Sequence, residues 1–325
     1  MSVVIATETE AVAPAAPPEH FGEKIGEKTA ATDGLAINMV IRQDPFSITL
    51  DASALLGLSI MLVIGMHVVQ HYIIECLIVA VPLLLLVRND YENFLRLGPG
   101  GTPATPAGYA RLMWYRLFTL RDPFSPPPKS SNISPAAGIL QQQNLPYRPG
   151  PRPTVAGLAP QRQLNQAGSP QAFNAMKRAL DRMAAQHPHK FGTATSCLEK
   201  HGFALFARHP VNVCGNGEVC HIHNSDKSMH MNLHPDDIKE ILQKGWGQRH
   251  PMAWTGWVHT PIPSTFVLIY APRGTNAAVL QTDTKFEEAN CGLDESDLRI
   301  VSKIIESAIW YTLEERVDLE PYMKP

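Results

Sequence analysis

The stretch from Ala52 to Val87, "ASALLGLSIMLVIGMHVVQHYIIECLIVAVPLLLLV", carries a single acid, Glu75, and no Lys or Arg. It splits into two apolar blocks, 52–66 and 72–87, around a polar notch at His67, Gln70 and His71. A membrane span needs roughly 20 apolar residues. Neither block is generous by that measure, and the whole is too long for one straight helix. Two arrangements fit: a single span over about 68–87 with the first block lying in the interface, or a tight hairpin of two short spans. A third is a buried helix of a soluble protein, but "VAVPLLLLV" lacks the polar face of an amphipathic core helix. Glu75 is costly in lipid unless it snorkels or pairs. Arg88, Arg96, Arg111, Arg116 and Arg121 follow the apolar region, and only Arg42 shortly precedes it. The positive-inside rule then places the C-terminal bulk in the cytosol, as on the endoplasmic reticulum or another internal membrane. A lipid bilayer is the first expected partner. The sequon at Asn132 would never meet the glycosylation machinery in that orientation.

The flanks differ sharply. Residues 1–50 hold seven acids against three bases and are rich in Ala, Pro and Thr, a composition that predicts a disordered tail. They lack the basic start of a signal peptide. Residues 89–149 read as a juxtamembrane segment and linker. "YARLMWYRLFTLRDPF" (109–124) suits a helix at headgroup level or a core helix of the next domain, and 14 of the 28 prolines fall between 99 and 170. Net charge is −2 with no long basic run, which argues against a nucleic-acid partner. Cys76, Cys197, Cys214, Cys220 and Cys291 form no C-x-x-C pair and read as reduced thiols.

The remaining residues, 150–325, predict a folded α+β domain, a mixed sheet packed with helices. Ser169 caps a helix whose Phe173, Met176, Leu180 and Met183 share one face. "FALFAR" is strand-like. "EVCHIH" and "SMHMNL" alternate around a short polar turn and predict a hairpin. "HPDDIKEILQKG" has Pro235 at its start and Gly245 past its end. "STFVLIYAPR" predicts a buried strand, and a long closing helix follows Asp294. Strands and helices do not alternate regularly, so a doubly wound sheet is the poorer fit. No phosphate loop or nucleophile elbow occurs.

The hairpin carries His221, His223 and His230, three of the chain's 13 histidines within ten positions. Side chains two apart in a strand share a face. With the turn at "NSDK", His221 opposes His230, and His223 lies diagonal on the same face. Glu218 points away unless the strand is bulged. Three imidazoles on one face permit a divalent metal such as Zn or Fe. They also permit a general base with a hydrogen-bonding partner, or a solvated set on an open sheet. A one-residue slip would throw His230 to the other side. Just beyond, "KGWGQRHPMAWTGW" gathers Trp246, Trp254, Trp257, Arg249 and His250. Aromatic walls with an Arg suit a flat, partly anionic organic ligand, or serve as a structural loop.

"HIHNSDKSMHMNLHPDDIKEILQKGWGQRHPMA" resembles the hallmark region of the fungal luciferase family, with "KGWGQRHP" its most specific piece. "VPLLLLVRNDYENFLRLGP", "GPRPTVAGLAPQRQ" and "STFVLIYAPR" with "RIVSKIIESAIWY" resemble further stretches, so the similarity runs with gaps from about 72 to 313. The resemblance implies a membrane-attached enzyme without a dedicated cofactor. Such an enzyme adds O₂, as co-substrate, to a hydroxylated α-pyrone of the 3-hydroxyhispidin type. His221 or His223 would then be the base with His230 its partner. Arg249 would bind the enolate, Trp246 and His250 would line the pocket, and Arg152 would assist with the anion. Luminous members carry a further His and Tyr where this chain has the shorter "NSDKS" turn. Fold and pocket are therefore expected to carry over, and light emission is not. A metal-dependent hydrolase or metal-binding module on the three histidines remains the rival reading, and a membrane-bound ligand carrier the third.

Overall fold

The computed structural model describes residues 4–6, 38–42, 47–68, 72–255, 260, 262–273 and 295–323. The chain forms two compact units, Met1–Asn93 and Phe94–Pro325. In the first, strands β1 (Val4–Ala6), β2 (Asn38–Arg42) and β3 (Ser47–Asp51) pair antiparallel in that order. Composition predicts disorder throughout 1–50, and these strands correct it locally. The runs Met-Val-Ile and Ile-Thr-Leu supply residues that suit a pleated backbone.

Helices α1 (Ala52–Val68) and α2 (Tyr72–Arg96) follow. A Cβ on Gly65 would sit 3.5 Å from the Ile78 side chain, whereas a single continuous helix would hold these residues about 20 Å apart. The two apolar blocks therefore fold back on each other. At 25 residues, α2 is about 37 Å long. Among the described residues it is the one helix long and apolar enough to cross a membrane. It continues to Arg96, past the expected end of the apolar segment at 88. The Glu75 side chain lies outside the described residues.

The second unit begins with α3 (Pro106–Arg116), capped by Thr105, whose Oγ1 accepts from Gly108 N at 3.1 Å. It continues through a 3₁₀ turn at Leu140–Gln143 and the strand pair β4 (Val155–Ala156) and β5 (Arg162–Gln163). Then come α4 (Pro170–Gln186), β6 (Phe191–Thr195), β7 (Phe203–Ala207), β8 (Glu218–Ile222) and β9 (Met229–Asn232). Helix α5 (Pro235–Lys244), β10 (Gly247–Arg249), β11 (Phe266–Ile269), α6 (Glu295–Leu313) and α7 (Glu320–Met323) complete it. Strands β6 to β11 form one antiparallel sheet in the order β10-β11-β9-β8-β7-β6, so the architecture is α+β.

Alternation along the strands divides the sheet. Leu205, Cys220, Ile222, Met229, Met231, Val267 and Ile269 pack with Met176, Leu180 and Met183 of α4 and Val301, Ile304, Ile305 and Ile309 of α6. That face is the core. Both expected helix starts at Ser169 and Pro235 are present, and Gly245 ends α5 at φ 81°. His234, rather than an acid, caps α5: its Nδ1 accepts from Asp236 N at 3.1 Å. Asp294, expected to cap α6, lies outside the described residues.

The segment expected to be a linker is part of the fold. Leu140 and Leu145 sit in the main core, and Tyr109 and Leu112 are buried. Leu120 N donates to Pro251 O, and Arg249 N to Pro123 O, both at 2.9 Å. Prolines need no N–H partner, so this chain crosses the surface without a ladder while its scattered leucines plug the core. The folded unit therefore starts near 94 rather than at 150.

Candidate functional site

Strands β8 and β9 pair His221 with His230, Cys220 with Met231 and Ile222 with Met229. His223 N donates to Ser228 O at 2.9 Å and closes the hairpin. This is the register the turn predicts, and all three imidazoles share the face away from α4 and α6. Their ring centroids lie 4.7–5.2 Å apart. Each is at most 3% exposed, so the solvated open face expected as one alternative is not what forms.

Glu218 joins them through a bulge. Leu205 pairs with Cys220 but Phe206 pairs with Glu218, so Val219 is the extra residue. One inserted residue shifts everything before it to the opposite face. The Glu218 carboxylate thereby meets His221 Nδ1 at 2.5 Å and also accepts from Ser196 Oγ and Cys197 N.

The other two imidazoles are held in the same way. His223 Nδ1 lies 2.8 Å from Ser228 Oγ, whose own proton goes to Asp226 at 2.7 Å. His230 Nε2 lies 2.9 Å from Gln161 Oε1. Each outer nitrogen therefore faces an acceptor, which fixes the ring and directs the other nitrogen inward. The inner atoms converge. His230 Nδ1 is 3.0 Å from His223 Nε2 and 3.2 Å from His221 Nε2. Glu199 Oε2 is 3.4 Å from His221 Nε2 and 3.6 Å from His223 Nε2. Glu199 is itself paired with Arg162 in the interior.

Sequence pattern points to none of Glu199, Asp226, Gln161 and Arg162 as a site residue, and to Glu218 only on condition of a bulge. Only Gln161 and Arg162 left a trace, inside the family-like "QRQ". Glu199 sits in the β6–β7 connection, far in sequence from the hairpin, with no local pattern to mark it. The bulge was the stated condition for Glu218, and nothing in its alternation reveals it.

Electrostatics divide the imidazoles. Burial works against charge on His221, but the hydrogen bonds and charges of Glu199 and Glu218 outweigh it and raise its pKa to about 9. Burial dominates elsewhere: His223 is lowered, His230 lies well below its ordinary value, and His250 falls to about 3. Burial would raise Glu199, yet His221, His223 and Arg162 bring it to about 2. Asp226 likewise falls to about 2 against its burial, through His223, Ser228 and Gln163 N–H.

The second constellation separates. His250 does join the histidines, its ring 5.2 Å from His230 and 5.7 Å from Phe266. Trp246 does not line that face. It is fully buried in the main core, with Nε1 donating to Pro146 O at 2.7 Å. Arg249 is committed to main-chain carbonyls of Ser125, Ala253 and Ser264, and Arg152 to those of Gly247 and Leu242 while covering the Phe124 ring. Of the expected substrate-binding groups, Trp246 thus stands in the core, and Arg249 and Arg152 stand on main-chain carbonyls. Trp254 stacks on Phe118 at 6.4 Å, and Trp257 lies outside the described residues.

Residues 216–279, which contain the hairpin and the loop after α5, match the family model described as Luciferase domain. A protein named Luciferase from Armillaria gallica is 31% identical over 245 residues, 69% of this chain and 81% of that one. Luciferases from Armillaria mellea (30% over 261 residues; 73% and 87% of the two chains) and Neonothopanus nambi (28% over 247; 70% and 81%) are also similar. No solved structure matches. With relatives this similar along most of both chains, and with the matched segment building the buried histidine cluster, the chain belongs to the fungal luciferase family.

Proposed function

We propose that this chain is a membrane-attached, luciferase-type oxygenase acting with O₂ on a hydroxylated α-pyrone or a related phenolic or polyketide. One observation carries the reading: the segment shared with proteins named Luciferase is the one that buries His221, His223 and His230 against Glu199. The chemistry suits those groups. An acidic enol gives its proton to a neutral imidazole, and His223 and His230 are held neutral by burial. The enolate carbon then bonds to O₂, and both oxygens stay in the resulting peroxide. That peroxide adds to the lactone carbonyl and expels the ring oxygen as an enolate, which takes back the proton held by the imidazole, and the resulting four-membered cyclic peroxide loses CO₂ as its O–O and C–C bonds break. A cationic His221, held between Glu199 and Glu218, would stabilise the developing oxyanion. A dry site protects such an intermediate from water.

Helix α2 supports attachment to a bilayer, with Leu83, Leu84 and Leu85 all more than half exposed. The arginines after it support a cytosolic catalytic unit on an internal membrane. The test supplies 3-hydroxyhispidin and simpler α-pyrones to membranes containing the chain and records O₂ uptake, product mass and photons together. O₂ consumed one-for-one with CO₂ released supports the reading, with or without light. Saturable pyrone binding with no O₂ uptake would make the chain a ligand carrier instead.

A further inference from the structure

We propose that Glu199 Oε2, His221 Nε2, His223 Nε2 and His230 Nδ1 form a resident site for one first-row divalent cation. This goes beyond the oxygenase reading and does not depend on it. The four groups are buried and their ligand atoms all lie within 4.8 Å of one another. Four of the six separations are 3.0, 3.2, 3.4 and 3.6 Å. A tetrahedral ion bound at 2.0–2.1 Å sets its ligands about 3.4 Å apart, so the donors already stand near the edges of such a tetrahedron.

Proton counting supports the same conclusion. Glu218, Ser228 and Gln161 accept from the outer nitrogens, so the three inner nitrogens of neutral rings carry lone pairs. In those tautomers His223 Nε2 and His230 Nδ1 face each other at 3.0 Å, lone pair to lone pair. An added proton on His221 can serve Glu199 or His230 but cannot relieve that pair. One cation at the centre satisfies all four donors at once. Charge agrees: the carboxylates of Glu199, Glu218 and Asp226 surround the site against the guanidinium of Arg162 and the imidazolium of His221, leaving the interior net negative. Buried charge without a partner is costly, and a divalent ion removes that excess.

The outer layer is also of the kind found around metals. Ligating histidines usually donate their second N–H to a carboxylate, a backbone carbonyl or water, and here oxygens of Glu218, Ser228 and Gln161 stand at those positions. Three imidazoles with one carboxylate suit Fe²⁺, Zn²⁺ and their neighbours rather than Mg²⁺ or Ca²⁺. With an ion bound the histidines would be its ligands and not free bases, so the cation site and the oxygenase reading are tested separately.

The experiment uses the full chain, purified in detergent with a non-histidine tag and no chelator. Metal content is measured by mass spectrometry, and chelator-stripped protein is then titrated with Co²⁺ alone. About one ion per chain, and the strong visible absorption of four-coordinate Co²⁺, are expected. Glu218→Gln, which keeps the side chain's size but removes the carboxylate behind His221, should weaken Co²⁺ binding about 10- to 100-fold while circular dichroism stays unchanged. His230→Ala should abolish the signal. Stripped wild-type protein that keeps its fold yet binds no Co²⁺ overturns the proposal, as does unchanged binding in folded His230→Ala. Neither readout involves turnover. A chain that holds one ion but ignores pyrones removes the oxygenase reading alone, and a metal-free chain that consumes O₂ with them removes the cation site alone.

Discussion

Glu218 Oε1 lies 2.5 Å from His221 Nδ1, although a regular strand would send residues three apart to opposite faces. The single extra residue at Val219 makes the contact. Glu218 is thus a positioning residue for the cluster, and removing its charge should be felt there before it is felt in the fold.

Glu218→Gln keeps the size and one acceptor but loses the carboxylate that orients His221. If the chain turns over α-pyrones, the rate of O₂ uptake should fall about 10- to 100-fold, with a lowered melting temperature because Ser196 and Cys197 share the remaining acceptor. Stopped-flow oxygen measurements and a thermal melt on the same sample check this. Unchanged turnover would mean that His221 needs no orienting partner.

Arg249 offers a contrary case. Its guanidinium ties the carbonyls of Ser125, Ala253 and Ser264 together in the interior. Arg249→Lys retains a charge but cannot serve three carbonyls in a planar fork, and each lost buried hydrogen bond costs about 1–3 kcal/mol. A lowered melting temperature with an unaltered KM for substrate is expected. A raised KM at unchanged stability would restore the anion-binding role suggested by sequence.

Asp237 should set a pH dependence of stability. Burial raises its carboxyl to about 6, and the hydrogen bond from Leu140 N only partly offsets this. A raised acid favours the protonated native state, so its contribution is complete below the unfolded value near 3.8 and is lost as pH rises through about 6. Across that window the wild-type chain should lose up to about 3 kcal/mol relative to Asp237→Asn. Thermal melts of both proteins at pH 4 and pH 7 test this. Curves that stay parallel would show that Asp237 is not the group responsible.

The proposed membrane attachment rests on the apolar run within α2. The full chain should stay with membranes through high-salt and alkaline washing, and deletion of residues 52–87 should release it. Asn132 is exposed, so a lumenal catalytic unit would leave its sequon open to modification. No mass shift on glycosidase treatment after expression in a eukaryotic host is expected, and a shift would reverse the orientation.

The chain's local structure was legible because local structure answers to short-range physics. Ser169, Pro235 and Gly245 mark helix ends through main-chain hydrogen bonding and backbone angle. Period-two alternation around a four-residue turn placed His221 opposite His230, and an uninterrupted apolar run announced α2. What surrounds the histidines answered to nothing local. Glu199 and Gln161 come from the β6–β7 and β4–β5 connections, which become neighbours of the hairpin only when the chain has packed. Glu218 arrives through a bulge that residue types do not encode. Trp246 and Arg249 looked like binding groups because aromatic and cationic side chains serve cores and carbonyl braces equally well. Burial and hydrogen-bond partners choose between those uses, and both exist only once distant segments have packed.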